Sequence, residues 1–324
     1  MEKLAAYKRK INEFLKLENF KRSPANLYNP IDYALNMGGK RLRPVLVLAG
    51  CDLFGGNIED AMRPAIGLEI FHNFTLLHDD IMDDAQQRRG SETVYKKWDT
   101  NIAILSGDTM FALAYKYILS GNHKNLPAIL NTFTQTAIEV CEGQQHDMDF
   151  ENRNDVTIRD YLEMIRLKTA VLLGASLKIG ALIANADAAH ANLIYDFGVN
   201  TGLAFQLKDD WLDAFGSEEK FGKSIGGDIV ANKKTYLLLK CLEKATPPDR
   251  KKLAGLYQDK TLGAAAKIGQ VLDIFEKYEV KEESTLEMEN FFNLALKAIK
   301  SSSAPQDKIN GLIGFAEWLY KRDH

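Results

Sequence analysis

Two short acidic clusters have aspartates spaced one helical turn apart. They comprise Asp79, Asp80 and Asp83 in the first cluster, and Asp209, Asp210 and Asp213 in the second. Side chains four residues apart share a helix face, so two such carboxylates repel each other by about 0.2–0.5 kcal/mol. A bound cation would remove this repulsion. Oxygen ligands without thiolates or clustered imidazoles suit Mg²⁺ or Mn²⁺, which makes each cluster a candidate metal site.

Each cluster ends an apolar run with helical spacing, over residues 68–77 and 197–207. One acidic cluster alone would more often be a solvated helix end. Two copies at the ends of two apolar helices instead predict a cavity lined by acidic residues. If the helices are antiparallel neighbours, or parallel with both acidic ends level, the clusters can face each other across it.

Basic residues supply the opposite charge. The segment GGKRLRP at residues 38–44 places three cations beside paired glycines, which let the backbone approach a ligand closely. Arginine presents a planar fork that matches phosphate oxygens. His72 precedes Asp79 by two helical turns and shares its face. Lys168 lies in an apolar helix and needs an anionic partner. The pattern predicts a phosphate-bearing ligand.

The composition excludes several classes of protein. The 324 residues are 46% hydrophobic and 26% charged, which is typical of a globular protein. The net charge of −3 argues against a nucleic-acid partner. The cysteines, Cys51, Cys141 and Cys241, lack metal-ligand spacing and predict a reduced, cytoplasmic protein. The apolar run at residues 170–184 contains Lys178, so no transmembrane segment is expected.

Apolar residues recur at helical spacing almost throughout, and no stretch shows the alternation of a strand. We therefore predict an all-α fold, a large antiparallel helical bundle around a central apolar cavity, in a single domain over residues 1–324. The predicted helices cover residues 2–19, 30–54, 62–84, 98–119, 125–149, 157–184, 187–215, 233–244, 248–257, 261–279, 284–300 and 306–321. The long connections at 85–97 and 216–232 follow the aspartate clusters and are predicted lids.

Together the motifs resemble the trans-polyprenyl diphosphate synthases, which include the farnesyl and geranylgeranyl diphosphate synthases. The likeness runs from about residue 35 to 240. The motifs are GGKRLRP at 38–44, DDIMD at 79–83, RRG at 88–90, GQ at 143–144 with Asp147 after it, KT at 168–169, FQLKDD at 205–210, and GK, GGD and KKT between 222 and 235. The resemblance implies the isoprenoid synthase fold, usually a homodimer, with Mg²⁺ as cofactor and Mn²⁺ as a possible substitute.

The resemblance also implies a role for each matching residue. Asp79 and Asp83 would hold two Mg²⁺ ions and Asp209 a third, supported by Asp80, Asp210 and Asp213. The allylic diphosphate would be bound by Arg88, Lys168, Lys223 and Lys233. Isopentenyl diphosphate would be bound by Gly39, Lys40, Arg43, His72 and Arg89. Thr169 and Gln206 would lie beside the reacting carbons.

The implied reaction joins isopentenyl diphosphate head-to-tail to an allylic diphosphate and releases diphosphate. In the family, the residues four and five positions before the first aspartate form the cavity floor, and here they are Thr75 and Phe74. One aromatic side chain there predicts a short product, farnesyl or geranylgeranyl diphosphate.

Other functions account less well for the same residues. A terpene cyclase would leave the GGKRLRP segment, His72 and Arg89 without a role. A non-catalytic partner subunit typically lacks one acid cluster, whereas both are intact here. Glu69 and His72 match the Glu-x-x-His motif of di-iron bundles, but no second copy is present. A structural metal-binding bundle would leave the lysines and the arginine pair unexplained.

Overall fold

The computed structural model describes residues 2–121, 123–216, 225–259 and 261–321. The helices are α1 (Glu2–Leu17), α2 (Ala25–Asn36), α3 (Leu42–Leu53), α4 (Ile58–Met82), α5 (Val94–Lys97), α6 (Thr100–Ile118), α7 (Leu126–Asn152), α8 (Ile158–Ile165), α9 (Val171–Ile183), α10 (Ala188–Phe215), α11 (Gly227–Val230), α12 (Tyr236–Lys244), α13 (Pro247–Gln258), α14 (Ala264–Lys277), α15 (Val280–Lys300) and α16 (Gln306–Lys321). The predicted all-α class is confirmed.

The prediction of one helix over residues 30–54 is wrong, because the chain leaves helical geometry between α2 and α3. Gly38, Gly39 and Arg41 have φ angles of 82°, 132° and 55°. A right-handed helix requires negative φ, so these residues form a loop instead. Most other predicted helices end within a few residues of the observed bounds, whereas the short α5 and α11 are not among the predicted helices.

The expectation of no strands is also wrong at one place. Strands β1 (Gln87–Arg88) and β2 (Ser91–Glu92) pair antiparallel. The two connecting residues, Arg89 and Gly90, have φ angles of 54° and 77°. Positive φ at both central residues is typical of the tight turns that join hairpin strands. Two-residue strands are too short to show alternation, so the sequence carries little sign of them.

The predicted helix at 157–184 contains a π-helical turn, Arg166–Ala170, between α8 and α9. Helix α8, which precedes this turn, begins at a capping box in which the side chains of Thr157 and Asp160 each accept a hydrogen bond from the other residue's backbone N–H group. Single π-helical turns inside α-helices are frequent at functional sites. This turn carries Lys168 and Thr169.

The chain folds into two compact units. Unit 1 comprises Met1–Thr134, Ala175–Ile194 and Ser303–Ile309, and unit 2 comprises Gln135–Gly174, Tyr195–Ser302 and Asn310–His324. In unit 1, a Cβ atom added to Gly50 would lie 2.2 Å from the carbonyl oxygen of Leu177, and the Cβ of a substituted Gly180 would lie 2.0 Å from that of Val47. Glycines therefore allow close backbone packing there. The single domain over residues 1–324 stays a prediction.

Unit 2 has a core of aromatic and aliphatic side chains in which Tyr161, Leu207 and Tyr236 are buried together. A second cluster includes Leu253 and Phe275. Within the described ranges, no helix combines the length and apolar character needed to cross a membrane.

Candidate active site

The first aspartate cluster lies at the end of α4 in unit 1. The Asn57 side chain accepts a hydrogen bond from the Glu59 backbone and caps the start of this helix. Asp79 belongs to the last turn. Asp83 lies one residue beyond the helix end, rather than inside it as predicted, and its backbone N–H donates to the Asp79 carbonyl at 2.9 Å. The chain thus still places Asp83 one turn after Asp79.

Asp80 is buried and holds an arginine of the hairpin in place. The Arg88 Nε and Nη2 atoms both lie 2.7 Å from Asp80 Oδ1. Burial raises the pKa of Asp80, whereas the charge of Arg88 opposes that rise. The contact fixes the direction of Arg88 next to the acidic cluster.

The glycine loop between α2 and α3 receives the second hairpin arginine. Arg89 Nη1 donates to the Gly38 carbonyl oxygen. A Cβ atom on Gly39 would lie 2.7 Å from the Arg89 guanidinium and would displace it from this position. Lys40 is exposed in the same loop. The structure therefore brings together residues of two distant motifs.

Arg43 and Arg89 place a concentration of positive charge around His72 in unit 1. Burial, followed by the charges of Arg43 and Arg89, lowers the pKa of His72 well below its usual value, so the imidazole is neutral at pH 7. Burial lowers the pKa of Arg43 to about 10, which leaves it charged. Its Nε atom is buried without a hydrogen-bond partner among the described residues. Such a cluster suits a multiply charged anion.

Arg41, from the same motif, plays a different part. It is buried and lies 2.5 Å from Glu69 Oε1, and it also donates to the Leu35 carbonyl oxygen at 2.5 Å. Glu69 accepts a further bond from Asn73 at 3.1 Å. The pair ties the glycine loop to α4. It also engages the glutamate of the Glu-x-x-His motif, which argues against the di-iron alternative.

Phe74 lies in a cluster of aromatic rings on α4 and α6. Its ring centroid is 5.6 Å from that of Phe71, 5.2 Å from Phe111 and 4.8 Å from His78. The ring is only partly buried. Its assignment as the cavity floor stays a prediction.

One pocket of unit 2 collects most of the other predicted site residues. These are Lys168, Thr169, Gln206, Asp209, Asp210 and Lys233, and they are joined by Asp147, Tyr161, Asp228, Lys234 and Thr235. Lys223 lies outside the described residues. The pocket thus combines cations and carboxylates within a single unit.

Lys168 is held by Asp147, whose Oδ2 lies 2.6 Å from the lysine Nζ. The sequence predicts a bound anion as the partner of this lysine, and the structure provides a carboxylate of α7. Gly143 makes the approach possible, since a Cβ there would lie 2.3 Å from the Lys168 backbone nitrogen. This explains the glycine of the GQ motif.

Asp210 is only 6% exposed and has two protein donors. Its Oδ1 accepts from Gln206 Nε2 at 3.1 Å, and its Oδ2 accepts from the Tyr161 hydroxyl. Burial, together with the charge of Asp228, raises the pKa of Asp210 to about 8. A cation bound beside Asp210 and Asp228 would oppose this rise in pKa and keep Asp210 ionised.

Asp213 binds the backbone of the segment that begins at residue 225. Its Oδ2 accepts from the Asp228 backbone N–H at 2.9 Å, and its carbonyl accepts from Gly226 at 2.7 Å. Lys233 Nζ lies 3.5 Å from Asp228 Oδ1. Lys234 donates to the Phe150 carbonyl at 2.5 Å, at the end of α7, where a cation is favoured. The neighbouring residues Lys233 and Lys234 therefore bind different partners, a carboxylate and a backbone carbonyl.

The donor chemistry of each unit fits Mg²⁺, although no three His, Cys, Asp or Glu side chains in the described part of the chain lie close enough to hold a metal by themselves. Magnesium commonly takes one or two carboxylates and completes its shell with substrate phosphates and water. Asp79 and Asp83 in unit 1, and Asp209 with Asp228 in unit 2, offer such oxygens.

The predictions assign no role to four residues that the structure places in the site, Tyr161, Asp147, Asp228 and Lys234. Asp147 and Asp228 lie in or beside the motifs, but the sequence alone assigns them no role. Tyr161 precedes Lys168 by seven residues, a spacing that would place both on one face of a regular helix and could have indicated it. Lys234 gives no such signal, because its partner is a backbone carbonyl distant in sequence.

The chain is similar to known proteins over most of its length. The sequence model of the polyprenyl synthetase family matches residues 24–277. A crystal structure of a geranylgeranyl pyrophosphate synthase is 44% identical, covers 99% of both chains and superposes with a TM-score of 0.94. The short chain isoprenyl diphosphate synthase of Methanothermobacter thermautotrophicus is 34% identical over 93% of this chain and 92% of its own.

The geranylgeranyl diphosphate synthase of Sulfolobus acidocaldarius is 37% identical over 87% of this chain and 86% of its own. The range of the family match, residues 24–277, contains both aspartate clusters and the basic motifs. The family match and the extent of these likenesses show that the chain belongs to the polyprenyl synthetase family of prenyltransferases.

Proposed function

We propose that the protein condenses isopentenyl diphosphate head-to-tail with an allylic diphosphate, in a Mg²⁺-dependent reaction that releases diphosphate. The observation that carries the proposal is the unit 2 pocket, in which Lys168 and Lys233 accompany aspartates, Thr169 and Gln206. Cations and metal-ligating carboxylates in one pocket suit a diphosphate leaving group. The allylic primers are dimethylallyl, geranyl or farnesyl diphosphate.

The metal ligands in this proposal are the aspartates. Asp79 and Asp83 bind two ions and Asp209 a third. Asp80, Asp210 and Asp213 support them through the contacts described above. When bound, Mg²⁺ stabilises the negative charge that grows on the departing diphosphate. Mn²⁺ is expected to substitute for it.

The basic residues hold the two substrates. Arg88, Lys168, Lys223 and Lys233 bind the allylic diphosphate. Their positive charge favours cleavage of the allylic carbon–oxygen bond, because it stabilises the diphosphate most strongly in the transition state, where negative charge develops on this leaving group. Gly39, Lys40, Arg43, His72 and Arg89 bind isopentenyl diphosphate. An anion at this place is supported by the Arg43 Nε atom, which has no hydrogen-bond partner in the described part of the chain, and by the cations around His72.

The carbocation that forms must meet the alkene of isopentenyl diphosphate before it meets water. Thr169 and Gln206 lie beside it and contribute oxygen dipoles. Loss of a proton from the joined product then restores a double bond, and the released diphosphate accepts that proton. The reaction requires no protein nucleophile.

The product is farnesyl or geranylgeranyl diphosphate. Phe74 supports a short product, because an aromatic ring at the cavity floor limits chain growth. Relatives named as geranylgeranyl diphosphate synthases favour the longer of the two. We also propose a homodimer located in the cytoplasm, which light scattering on the purified protein and cell fractionation would test.

The test incubates purified protein with Mg²⁺, isopentenyl diphosphate and each of the three allylic primers separately, followed by mass analysis of prenyl products. A discrete longer diphosphate is expected. Extension of farnesyl diphosphate would identify the product as geranylgeranyl diphosphate or longer, and its persistence would identify farnesyl diphosphate. Hydrocarbons or alcohols formed without consumption of isopentenyl diphosphate would refute the proposal in favour of a cyclase.

A further inference from the structure

The Tyr161 hydroxyl is a buried polar group that the proposed mechanism does not use. Tyr161 is 2% exposed and its ring packs in the unit 2 core beside Ile165, Leu207 and Tyr236. The hydroxyl donates to Asp210 Oδ2. Burial of a carboxylate costs free energy unless hydrogen-bond donors reach it, so this hydroxyl stabilises the buried Asp210.

The same carboxylate also fixes an amide. Asp210 Oδ1 accepts from Gln206 Nε2 at 3.1 Å, one helical turn earlier on α10. With both oxygens engaged, the carboxylate cannot turn without losing a bond. Because the Gln206 amide is planar and uses its NH₂ group on Asp210, its carbonyl oxygen is directed elsewhere. That oxygen lies 3.5 Å from Thr169 Oγ1, on the π-helical turn.

We propose that Tyr161 is a positioning residue, which acts through Asp210 to keep the Gln206 carbonyl oxygen directed toward Thr169 and the pocket. This inference rests on the proposed function. The negative end of the amide dipole then faces the carbon on which positive charge develops. A fixed dipole stabilises a transition state more than one that must first reorient. Without the hydroxyl, Asp210 can rotate and the Gln206 amide can flip, which would present its NH₂ group to the cation.

The test begins with Tyr161→Phe, which removes one oxygen and keeps the ring. The matched control is Tyr236→Phe, which removes a hydroxyl from a ring of the same buried cluster. We expect kcat to fall about tenfold in Tyr161→Phe, because the oriented dipole acts mainly in the transition state. KM for both diphosphates should stay within about twofold of wild type. The control should retain its kcat.

A double-mutant cycle tests whether Tyr161 acts through Gln206. In a Gln206→Ala background, Tyr161→Phe should cause no further loss of kcat, because no amide remains to be oriented. A full, independent loss in that background would overturn the inference. So would an unchanged kcat in Tyr161→Phe, or an equal loss in Tyr236→Phe, which would point to core packing instead.

Circular dichroism and thermal unfolding check that each variant is folded. If Tyr161→Phe does not fold, Gln206→Asn provides the test, because that variant keeps the native tyrosine. Its shorter side chain cannot span Asp210 and Thr169, so its kcat should match that of Gln206→Ala, and a wild-type kcat would overturn the inference. Wild-type protein that forms no prenyl diphosphate would refute the proposed function itself, whereas an active wild type with an unaffected Tyr161→Phe refutes only this inference.

Discussion

Replacement of Arg41 by methionine should destabilise the protein strongly, although Arg41 contacts no substrate in the proposed mechanism. The side chains of Arg41 and Glu69 are 4% and 3% exposed, and their closest atoms are 2.5 Å apart. Removing one partner of a buried pair typically costs about 3–5 kcal/mol, because the other charge stays buried. The Leu35 carbonyl would lose its donor as well. The pair Lys10–Glu59, at 2.5 Å with side chains 47% and 59% exposed, provides a matched control.

Chemical denaturation followed by circular dichroism gives the measurement. The unfolding free energy of Arg41→Met should fall by about 3–5 kcal/mol. That of Lys10→Met should change by less than about 1 kcal/mol, since exposed pairs contribute little. The double variant Arg41→Met with Glu69→Met should recover most of the loss, because it leaves no unpaired charge. An Arg41→Met protein as stable as wild type, or a double variant with additive losses, would refute the reasoning.

Three further predictions concern the site. Gly39→Ala should raise KM for isopentenyl diphosphate about tenfold, because its Cβ would displace the Arg89 guanidinium. Gly255→Ala, which has open space around it, should leave this KM unchanged. Steady-state kinetics with varied isopentenyl diphosphate measure both values, and equal KM values in the two variants would contradict the assignment of Gly39. Phe74→Ala should lengthen the product seen by mass analysis, and an unchanged product distribution would remove Phe74 from the cavity floor. Chelation by EDTA should abolish turnover and added Mg²⁺ should restore it, so full activity in EDTA would contradict the metal role.

The fold class can be predicted because the helical periodicity is continuous over long stretches. The helix that carries Asp209 and Asp213 ends at residue 215, as its periodicity predicts. The loop between α2 and α3 cannot be predicted from the sequence, because a glycine pair followed by good helix formers is also compatible with a continuous helix. Its observed geometry depends on Arg41 reaching Glu69 and Arg89 reaching Gly38, which are tertiary contacts.

The candidate site is predicted best where residue type alone limits the chemistry. Clustered aspartates indicate a divalent cation, and arginines beside glycines indicate phosphate. The partners of those residues are harder to predict, since Tyr161 with Asp210 and Lys168 with Asp147 meet only after the helices pack. The motif of Asp213 predicts support for a metal, and its bond to the Asp228 backbone cannot be inferred from that motif.

The most direct test of the central claim is a stoichiometry. Purified protein with Mg²⁺ and geranyl diphosphate would be given limiting isopentenyl diphosphate, and released inorganic diphosphate and remaining isopentenyl diphosphate would be measured together over time. Head-to-tail condensation predicts that each molecule of isopentenyl diphosphate consumed releases one diphosphate and lengthens one prenyl chain. Diphosphate released while isopentenyl diphosphate stays constant would contradict the account.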